Sequence, residues 1–494
     1  MPSPRFQAVL TTNNENNFFE AKFEDGAERI SLPARRIRKR SRNEARIGEF
    51  VSMITFPYGR AAFALLLLGV FAGLYLIFTP PEKKNSTLVM WTFARPHYEA
   101  YLKTIPDFEK AHPGVKVDLE LVNGQAVGNR LQASFWANLP VPDMVETEIS
   151  TAGSFFRGPV KDIGFVDLTD RLKRSGLYDR MVQARFAPYT SRGRIFGLPH
   201  DVHPVQLAYN REIFKQAGIN PDDLKTWDEF IAAGHKITIP GKRYMIELGD
   251  SNADNMEAML FQRGGGYFDP QGRCILDNEA AVQTMLFYVP LVAGPHKIAN
   301  TLGGNQILTQ AVEDGYLVTL LCPDWRSKSI EQDIPSMSGK MGLMPLPAVA
   351  PGLPQTSTWG GTMLGITKAS KNQDLAWQFA MNLYTDKSQL EQRFLDTNIL
   401  PAFKDAWNQP GFAKPRAYWG GQPLGLTYAK LAPQVPFQYT SPLIGTAKTK
   451  MGEAVVSCVQ YYNQNGDKDF APFVRARLKQ SAEEVRQLAA RNPY

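Results

Sequence analysis

The strongest constraint on this chain is the run AAFALLLLGVFAGLYLIFT from Ala61 to Thr79, nineteen consecutive residues without a charge. As a helix at about 1.5 Å per residue it extends about 28 Å, close to the thickness of the hydrocarbon layer of a bilayer. A buried core helix would need a polar face, and this segment has none. Pro80 and Pro81 stop the helix, and Glu82, Lys83 and Lys84 would meet the far headgroups. Before the run stand Arg35, Arg36, Arg38, Lys39, Arg40, Arg42 and Arg46, with Arg60 at its edge. That excess of Lys/Arg places the N-terminal flank in the cytoplasm, so the rest of the chain lies outside. The run is long for the apolar core of a cleaved signal, no small-x-small site follows it, and no cysteine stands at its end for lipid attachment. The reading is one uncleaved transmembrane anchor, with a cleaved signal as its alternative.

The anchor divides the charge. Of 55 Lys/Arg and 48 Asp/Glu in the 494 residues, 11 and 7 fall in residues 1–60, leaving 44 against 41 beyond. The large part is nearly neutral despite a pI near 9.0, and it carries no Lys/Arg cluster able to neutralise a run of phosphates. No nucleic-acid partner is expected. Residues 1–60 read as a cytosolic basic tail, largely disordered, since TTNNENNFFE and its surroundings have no sustained periodicity. The three cysteines, Cys274, Cys322 and Cys458, form no C-x-x-C pair or zinc set and read as small apolar core residues, although one bridge is compatible with their number.

Beyond the anchor the pattern alternates. Leu88–Trp91 suits a buried strand, Tyr98–Lys110 repeats apolar positions at helical spacing, and Gly114–Val122 alternates like a strand. Asp143–Val145 and Gln206–Tyr209 read as further strands, and Asp374–Tyr384 as an amphipathic helix with Leu375, Phe379 and Leu383 on one side. Asn210 can cap a short helix that turns Phe214 and Ala217 inward and ends at Gly218, and Thr226 sets up another helix near Trp227. Such alternation predicts an α/β fold with a mostly parallel sheet and helices on both faces. About 410 residues exceed what one sheet organises, so two lobes are expected.

The order LVMWTF, FEKAHPGVKVDLE, PDMVE, GLPHDVHPVQLAYNREIFKQAGI, TWDEF, GGYFDPQGRCILDNEAAVQTMLFY, CPDW, MGLMPLP, TWGGTMLGITKASKNQDLAWQFAMNLYT and AYWGGQPLGLTYAKLAPQVP resembles the family 1 extracellular solute-binding proteins of ABC sugar importers, the maltose-binding-like class. The likeness runs over roughly residues 87–480. Each block is short, and it is their order and spacing that carry the likeness; YWGGQ is similar to members that carry arabinose, lactose or related sugars. The resemblance implies a two-lobe periplasmic binding protein fold of the class II type, preceded here by the transmembrane helix at 61–79 and a linker at 80–86. Lobe 1 would comprise 87–203 and 363–408, and lobe 2 would comprise 206–358 and 415–494. A mono- or oligosaccharide would bind in the cleft by hinge closure and pass to ABC permease subunits. Most relatives are soluble or lipid-anchored, so the bilayer segment is a departure. The implied location is the bacterial inner membrane, single-pass, with the N-terminus cytoplasmic and the binding domain periplasmic or extracellular.

A sugar presents hydroxyl edges and flat C–H faces, and is held by paired hydrogen-bonding groups and aromatic plates. Trp325, after the strand YLVTLLCPD, stands where the family usually has a stacking tryptophan; an interlobe packing role is the alternative. Trp359, Gly360 and Gly361 sit at an implied crossing, where glycine suits either close backbone approach to ligand or a hinge turn. Arg95, in the loop after the first strand, is a ligand donor or a surface arginine. Glu146 lies at the C-terminal edge of a strand, where open α/β sheets bind ligands, or is a solvated loop carboxylate. Asp201 and His203 fall where the chain first changes lobe, Asp250 and Asn252 on a loop of the second lobe, and Trp419, with Tyr418 and Tyr439, ranks lower. His200 and His203 form H-x-x-H, but Pro199 and Pro204 argue against the helix that would align them. No metal, cofactor or catalytic residue is expected. The sequence has no G-x-S-x-G, H-E-x-x-H, P-loop or dinucleotide fingerprint. Two alternatives stay open: a ligand sensor for a membrane signalling partner, and a glycoside-active enzyme using Glu146 and Asp201.

Overall fold

In the computed structural model of the chain, residues 59–78, 86–137, 139–302 and 304–491 are described. The expected tail over 1–58 and the expected linker over 80–85 lie outside them. The chain divides into two compact units, one reaching to Lys83 and the other starting at Lys84. The first unit contributes helix α1 (Gly59–Phe78). Leu65, Leu66, Leu68, Phe71 and Tyr75 are each more than half exposed on it. Among the described residues no helix is long and apolar enough to cross a membrane. The side chains described in α1 are those of residues 61–75, about 22 Å of helix against about 30 Å of hydrocarbon.

In the second unit ten strands, β1 (Leu88–Thr92), β2 (Val117–Leu121), β3 (Met144–Glu148), β4 (Leu198–Pro199), β5 (Val205–Asn210), β6 (Tyr244–Glu247), β7 (Ala299–Asn300), β8 (Leu317–Pro323), β9 (Met341–Pro345) and β10 (Thr362–Ile366), form two five-stranded sheets. Their orders are β2-β1-β3-β10-β4 and β9-β5-β8-β6-β7. Both sheets are mixed, which corrects the mostly parallel expectation. In the first, β1 pairs in parallel with β2 and β3, while β10 is antiparallel to β3 and β4. In the second, β8 and β7 run parallel to β6, while β5 is antiparallel to β8 and β9. The cause is the route of the chain. β5 and β10 each begin just after the chain has passed from the other sheet, so they enter at the edge where the parallel strands finish. Thr362, the first residue of β10, accordingly pairs with Glu148, the last of β3.

Both faces of each sheet are covered by apolar side chains. On β10, Leu364 faces a core with Met90, Tyr101 and Phe379, while Met363 faces another with Phe165 and Phe196, as alternation along a strand requires. On β8, Leu321 belongs to one core and Leu320 and Cys322 to the other. Helix α2 (Arg95–Ala111) buries His97, Tyr101, Ile105 and Phe108, a stripe at helical spacing. Asn210 caps the short helix Arg211–Gln216, accepting from the backbone N–H of Glu212 and Ile213. Ile213 and Phe214 are its buried residues, and Ala217, expected inward, is exposed at the C-cap. Helix α3 (Trp227–Ile237) opens on a capping box between Thr226 and Glu229. Helices α4 (Asp254–Gln262), α5 (Glu279–Val292) and α6 (Asp324–Asp333) follow in the second sheet's half. Helix α7 (Gln373–Thr385) buries Phe379 and Leu383, with Leu375 half-buried, and α8 (Lys387–Thr397) follows it. Helices α9 (Ile444–Asn465) and α10 (Phe470–Arg491) pack on each other and on α5. Cys274, Cys322 and Cys458 are all free and buried.

Phe379 is fully buried, its ring 4.8 Å from that of Phe108. Phe379→Ala is expected to cost about 3–5 kcal/mol, read as a lower urea midpoint at unchanged m-value.

Candidate functional site

Segments 200–205 and 357–362 carry the chain between the sheets, and they are hydrogen-bonded together. His200 N–H donates to Thr362 O and Val205 N–H to Ser357 O, and segment 399–403 lies alongside, with Val202 N–H donating to Leu400 O. A cavity of about 940 Å³ opens beside this junction. Phe93, Arg95, Lys103 and Glu148 line it from the first sheet's half, Glu257, Trp325, Lys328 and Lys448 from the second's, and His203, Trp359, Gly360 and Gly361 from the junction.

The aromatic end is tied together by a hydrogen bond and a ring contact. Trp325 is the second residue of α6, directly after β8. Its indole N–H donates to Trp359 O at 3.0 Å, and the two rings meet edge to face with centroids 5.8 Å apart. Gly360 and Gly361 have φ of +90° and +152°, and a Cβ on Gly361 would lie 2.1 Å from Arg185 Nη2. The glycines therefore make room for Arg185 and for the turn itself. The rest of the lining is rich in charged side chains paired with neighbours. Lys448 on α9 lies 2.9 Å from Glu257 on α4, Lys103 2.8 Å from Asp396, Lys328 3.2 Å from Glu331 and Arg95 3.8 Å from Glu99. Burial works against the Lys448 charge, but Glu257 and Glu148 outweigh it and raise its pKa. Burial likewise pushes Glu148 up to about 7 against the pull of Lys448.

Of the residues expected at the site, Trp325, Trp359, Gly360, Gly361, Arg95 and His203 line this cavity. Five do not, and each absence has a physical reason. Glu146 is fully buried beneath α2, where its oxygens accept from Thr92 Oγ1 at 2.6 Å, His97 Nδ1 at 3.0 Å, Tyr101 OH at 2.5 Å and Tyr384 OH at 2.8 Å. It is neither a ligand-facing nor a solvated group. Burial works to raise its pKa, yet His97, His200 and the Thr92 hydroxyl outweigh burial and hold it at about 2. Asp201 is fully buried behind the cavity wall, spent on Arg185, His200 and His203. Asn252 accepts from the Asp254 N–H at 3.0 Å in the turn that starts α4, and Asp250 belongs to the same turn. It is Glu257, one turn into that helix, that reaches the cleft. Trp419 is fully buried and donates to Glu331 Oε1 at 2.8 Å; its neighbour Tyr418 donates to Ile334 O. Tyr439 stacks on Phe437 away from the cavity.

Glu148, Glu257, Lys448, Lys103 and Lys328 were not anticipated. Glu148 had a local signal, as the final residue of β3. Glu257 and Lys448 are far apart in sequence and meet only through packing. His97, Glu146 and His200 place ligand-type atoms within 4.8 Å of one another, a grouping the H-x-x-H spacing does not reveal. Both Glu146 oxygens are occupied by protein donors, and His200 Nε2 accepts from Arg393 Nη1 at 3.3 Å. A cation there would have to displace them, so the donor set fits a hydrogen-bond hub.

The chain is similar to known proteins in sequence and in fold. The sequence profile described as bacterial extracellular solute-binding protein matches residues 95–390. An arabinooligosaccharide-binding protein of Bacillus subtilis (strain 168) is 30% identical over 320 residues, covering 64% of this chain and 73% of the relative. An arabinooligosaccharide-binding protein of Halalkalibacterium halodurans is 25% identical over 338 residues, covering 67% and 75%. Among solved structures, the sugar-binding protein MalE from Xanthomonas citri superimposes with a TM-score of 0.66 at 16% identity, covering 81% of this chain and 98% of that one. That last likeness is one of fold.

Stability from Glu146 is present in full above its ordinary value of 4.5 and is lost as pH falls through about 2. Glu146→Gln, which turns an amide NH2 toward two of the same four donors, is expected to cost about 1–3 kcal/mol at pH 7 and to flatten the acid limb. Urea midpoints from pH 7 down to pH 2 check both.

Proposed function

Since the chain belongs to the bacterial extracellular solute-binding protein family, whose members serve ABC transporters as binding proteins and are not enzymes, we propose that it captures a mono- or oligosaccharide and hands it unaltered to an ABC permease. The observation that carries this reading is the cavity. It is large enough at about 940 Å³ for several sugar units, has two tryptophans at one end, and is walled elsewhere by carboxylates and ammonium groups already paired with one another. Aromatic faces suit the C–H side of a sugar ring. Paired charges offer acceptors and donors side by side, as neighbouring hydroxyls require, without a net charge that would demand an ionic ligand. In this reading the lobes are 87–203 with 363–408, and 206–358 with 415–494, and they close about the junction at 200–205 and 357–362. Trp325 and Trp359 form the stacking plate, Gly360, Gly361 and Arg95 line it, and His203 stands behind it. The binding curated relatives make arabinose-containing oligosaccharides the first ligands to try.

The proposal extends to the membrane. The charge-free run at 61–79 and the arginine-rich segment before it support a single-pass anchor with its N-terminus in the cytoplasm and the binding lobes periplasmic or extracellular. In a bacterial host the chain is expected to stay in the membrane fraction after alkaline carbonate washing, and deletion of 61–79 to release it. Recovery of a soluble, N-terminally shortened product would mean a cleaved signal instead.

Ligand capture is tested by calorimetry and thermal shift on the full chain in detergent. A bound sugar at 100 times its Kd adds about 2.7 kcal/mol of stability. Trp325→Ala is expected to raise Kd about tenfold, or about 1.4 kcal/mol, and shrink the shift accordingly. Hydrolysis of the sugar in the same samples would refute a pure binding role.

A further inference from the structure

His203 is the most constrained residue at the junction. It is buried, and its φ of +54° is left-handed, a region uncommon for residues other than Gly, though His, Asn and Asp enter it more often than the rest. Its two ring nitrogens point at two carboxylates. Nε2 lies 3.1 Å from Asp201 Oδ2, and Nδ1 lies 2.5 Å from Asp324 Oδ1. Ionised carboxylates only accept, so both ring nitrogens must carry hydrogen. The neighbouring His200 shows the opposite state: Nδ1 donates to Asp201 at 3.1 Å while Nε2 accepts from Arg393, which requires a neutral ring. Burial first, and the like charge of His97, push His200 down to about 4, whereas Asp201 and Asp324 outweigh burial at His203 and lift it to about 9.

The two carboxylates belong to different halves. Asp201 lies just after β4 of the first sheet, and its Oδ1 also accepts from Arg185 Nη2 and Thr362 N–H. Asp324 heads α6 of the second half; its Oδ1 accepts from Trp325 N–H at 2.7 Å and its Oδ2 from Leu400 N–H at 2.7 Å. Arg185, Asp201, His203 and Asp324 thus form a buried chain of alternating charge through the junction, summing to zero. We propose that His203 is a positioning residue for ligand capture, a doubly protonated bridge that ties the carboxylate of one half to the carboxylate beneath Trp325 in the other, so that closing on ligand takes up the His203 proton and opening loosens it.

The sign follows from the geometry. Rotating one half against the other changes the separation of Asp201 and Asp324, and only an imidazolium satisfies both together. A neutral ring would leave the buried chain with one excess negative charge, so closure weakens when the proton is lost. The ligand-free ring is already held up at about 9, and closure favours its proton further, so affinity is constant below about 9 and falls as pH rises past it. The charged or titratable groups facing His203 are Asp201 and His200 on its own segment, Arg185 behind Asp201, Asp324 on α6, and Glu148 and Lys448 across the cavity. Glu148 titrates near 7, well separated from a step at 9.

This inference rests on the ligand-binding reading, so the test separates the two. The first measurement needs no ligand: histidine ring NMR of the full chain in detergent, with the His203 signal assigned by its loss in His203→Asn, a replacement that tolerates the left-handed φ. The expected titration lies near pH 9, and Asp324→Asn should bring it down toward 6.5; a wild-type ring titrating near 6.5 would overturn the bridge. The second measurement is the Kd for arabinotriose by calorimetry from pH 6 to 10. Wild-type affinity should weaken toward tenfold per pH unit above about 9, the slope of one linked proton. His203→Asn and Asp324→Asn should each bind about tenfold more weakly at pH 7 and show no step at 9. A folded variant that keeps the wild-type profile sinks the proposal. If His203→Asn does not fold, Asp324→Asn decides by the same two readouts. Absence of binding to any sugar by the wild type would count against the ligand reading alone, with the ring titration still deciding on the bridge.

Discussion

Backbone that runs between two sheets must pass through a dry interior, where its N–H and C=O groups have no water to bind. In this protein three stretches of chain, 200–205, 357–362 and 399–403, share that passage, and a small set of buried charged side chains satisfies them. Arg185 donates to Thr358 Oγ1, Gly360 O and Asp201 O, Asp201 accepts from Thr362 N–H, and Asp324 accepts from Leu400 N–H. Buried ion pairs of this kind add little net stability over apolar packing. What they supply is a single defined meeting point for three chain segments, the first of which precedes the other two by more than 150 residues. The mixed sheets, the cavity beside the junction and the placement of both tryptophans depend on that point.

Two carboxylates on one strand show how sharply environment sets chemistry. Glu146 and Glu148 are separated by one residue on β3. Glu146 lies under α2 with four donors around it and is held at about 2; Glu148 reaches the cavity rim, is desolvated without a direct cationic partner, and is pushed to about 7. The first anchors α2 and α7 on the sheet through Tyr101 and Tyr384. The second faces the space where ligand would sit. Histidines 200 and 203 repeat the contrast: one ring is neutral because it must accept from Arg393, the other charged because it must donate twice.

Local elements were readable because their causes are local. Asn210 and Thr226 cap helices through N–H groups two or three residues away, and Phe379 and Leu383 face the core because helical spacing puts them on one stripe. Trp325 lines the cavity because the strand Leu317–Pro323 delivers it to a sheet's end. Trp419 and Asp201, credited with the same exposure, are buried. Whether a polar or aromatic residue near a strand end meets solvent or core depends on which distant helix lies over it. Likewise Ala217, expected inward, is exposed at the C-cap of the helix Arg211–Gln216, where only Ile213 and Phe214 are buried.

The sequence by itself determined the succession of strands and helices, their caps and the apolar run at 61–79, which follow from propensity and patterning over a few residues at a time, and it carried the family likeness in the order and spacing of short blocks. Only the tertiary structure decided the antiparallel entry of β5 and β10, the meeting of Glu257 with Lys448, and the bridge from Asp201 through His203 to Asp324. Those features join residues up to 222 positions apart, Met144 with Ile366, 191 between Glu257 and Lys448, and 121 between His203 and Asp324. Charge state and hydrogen-bond partner are fixed by whatever packing brings within about 4 Å, and one chain read in order does not disclose that distance.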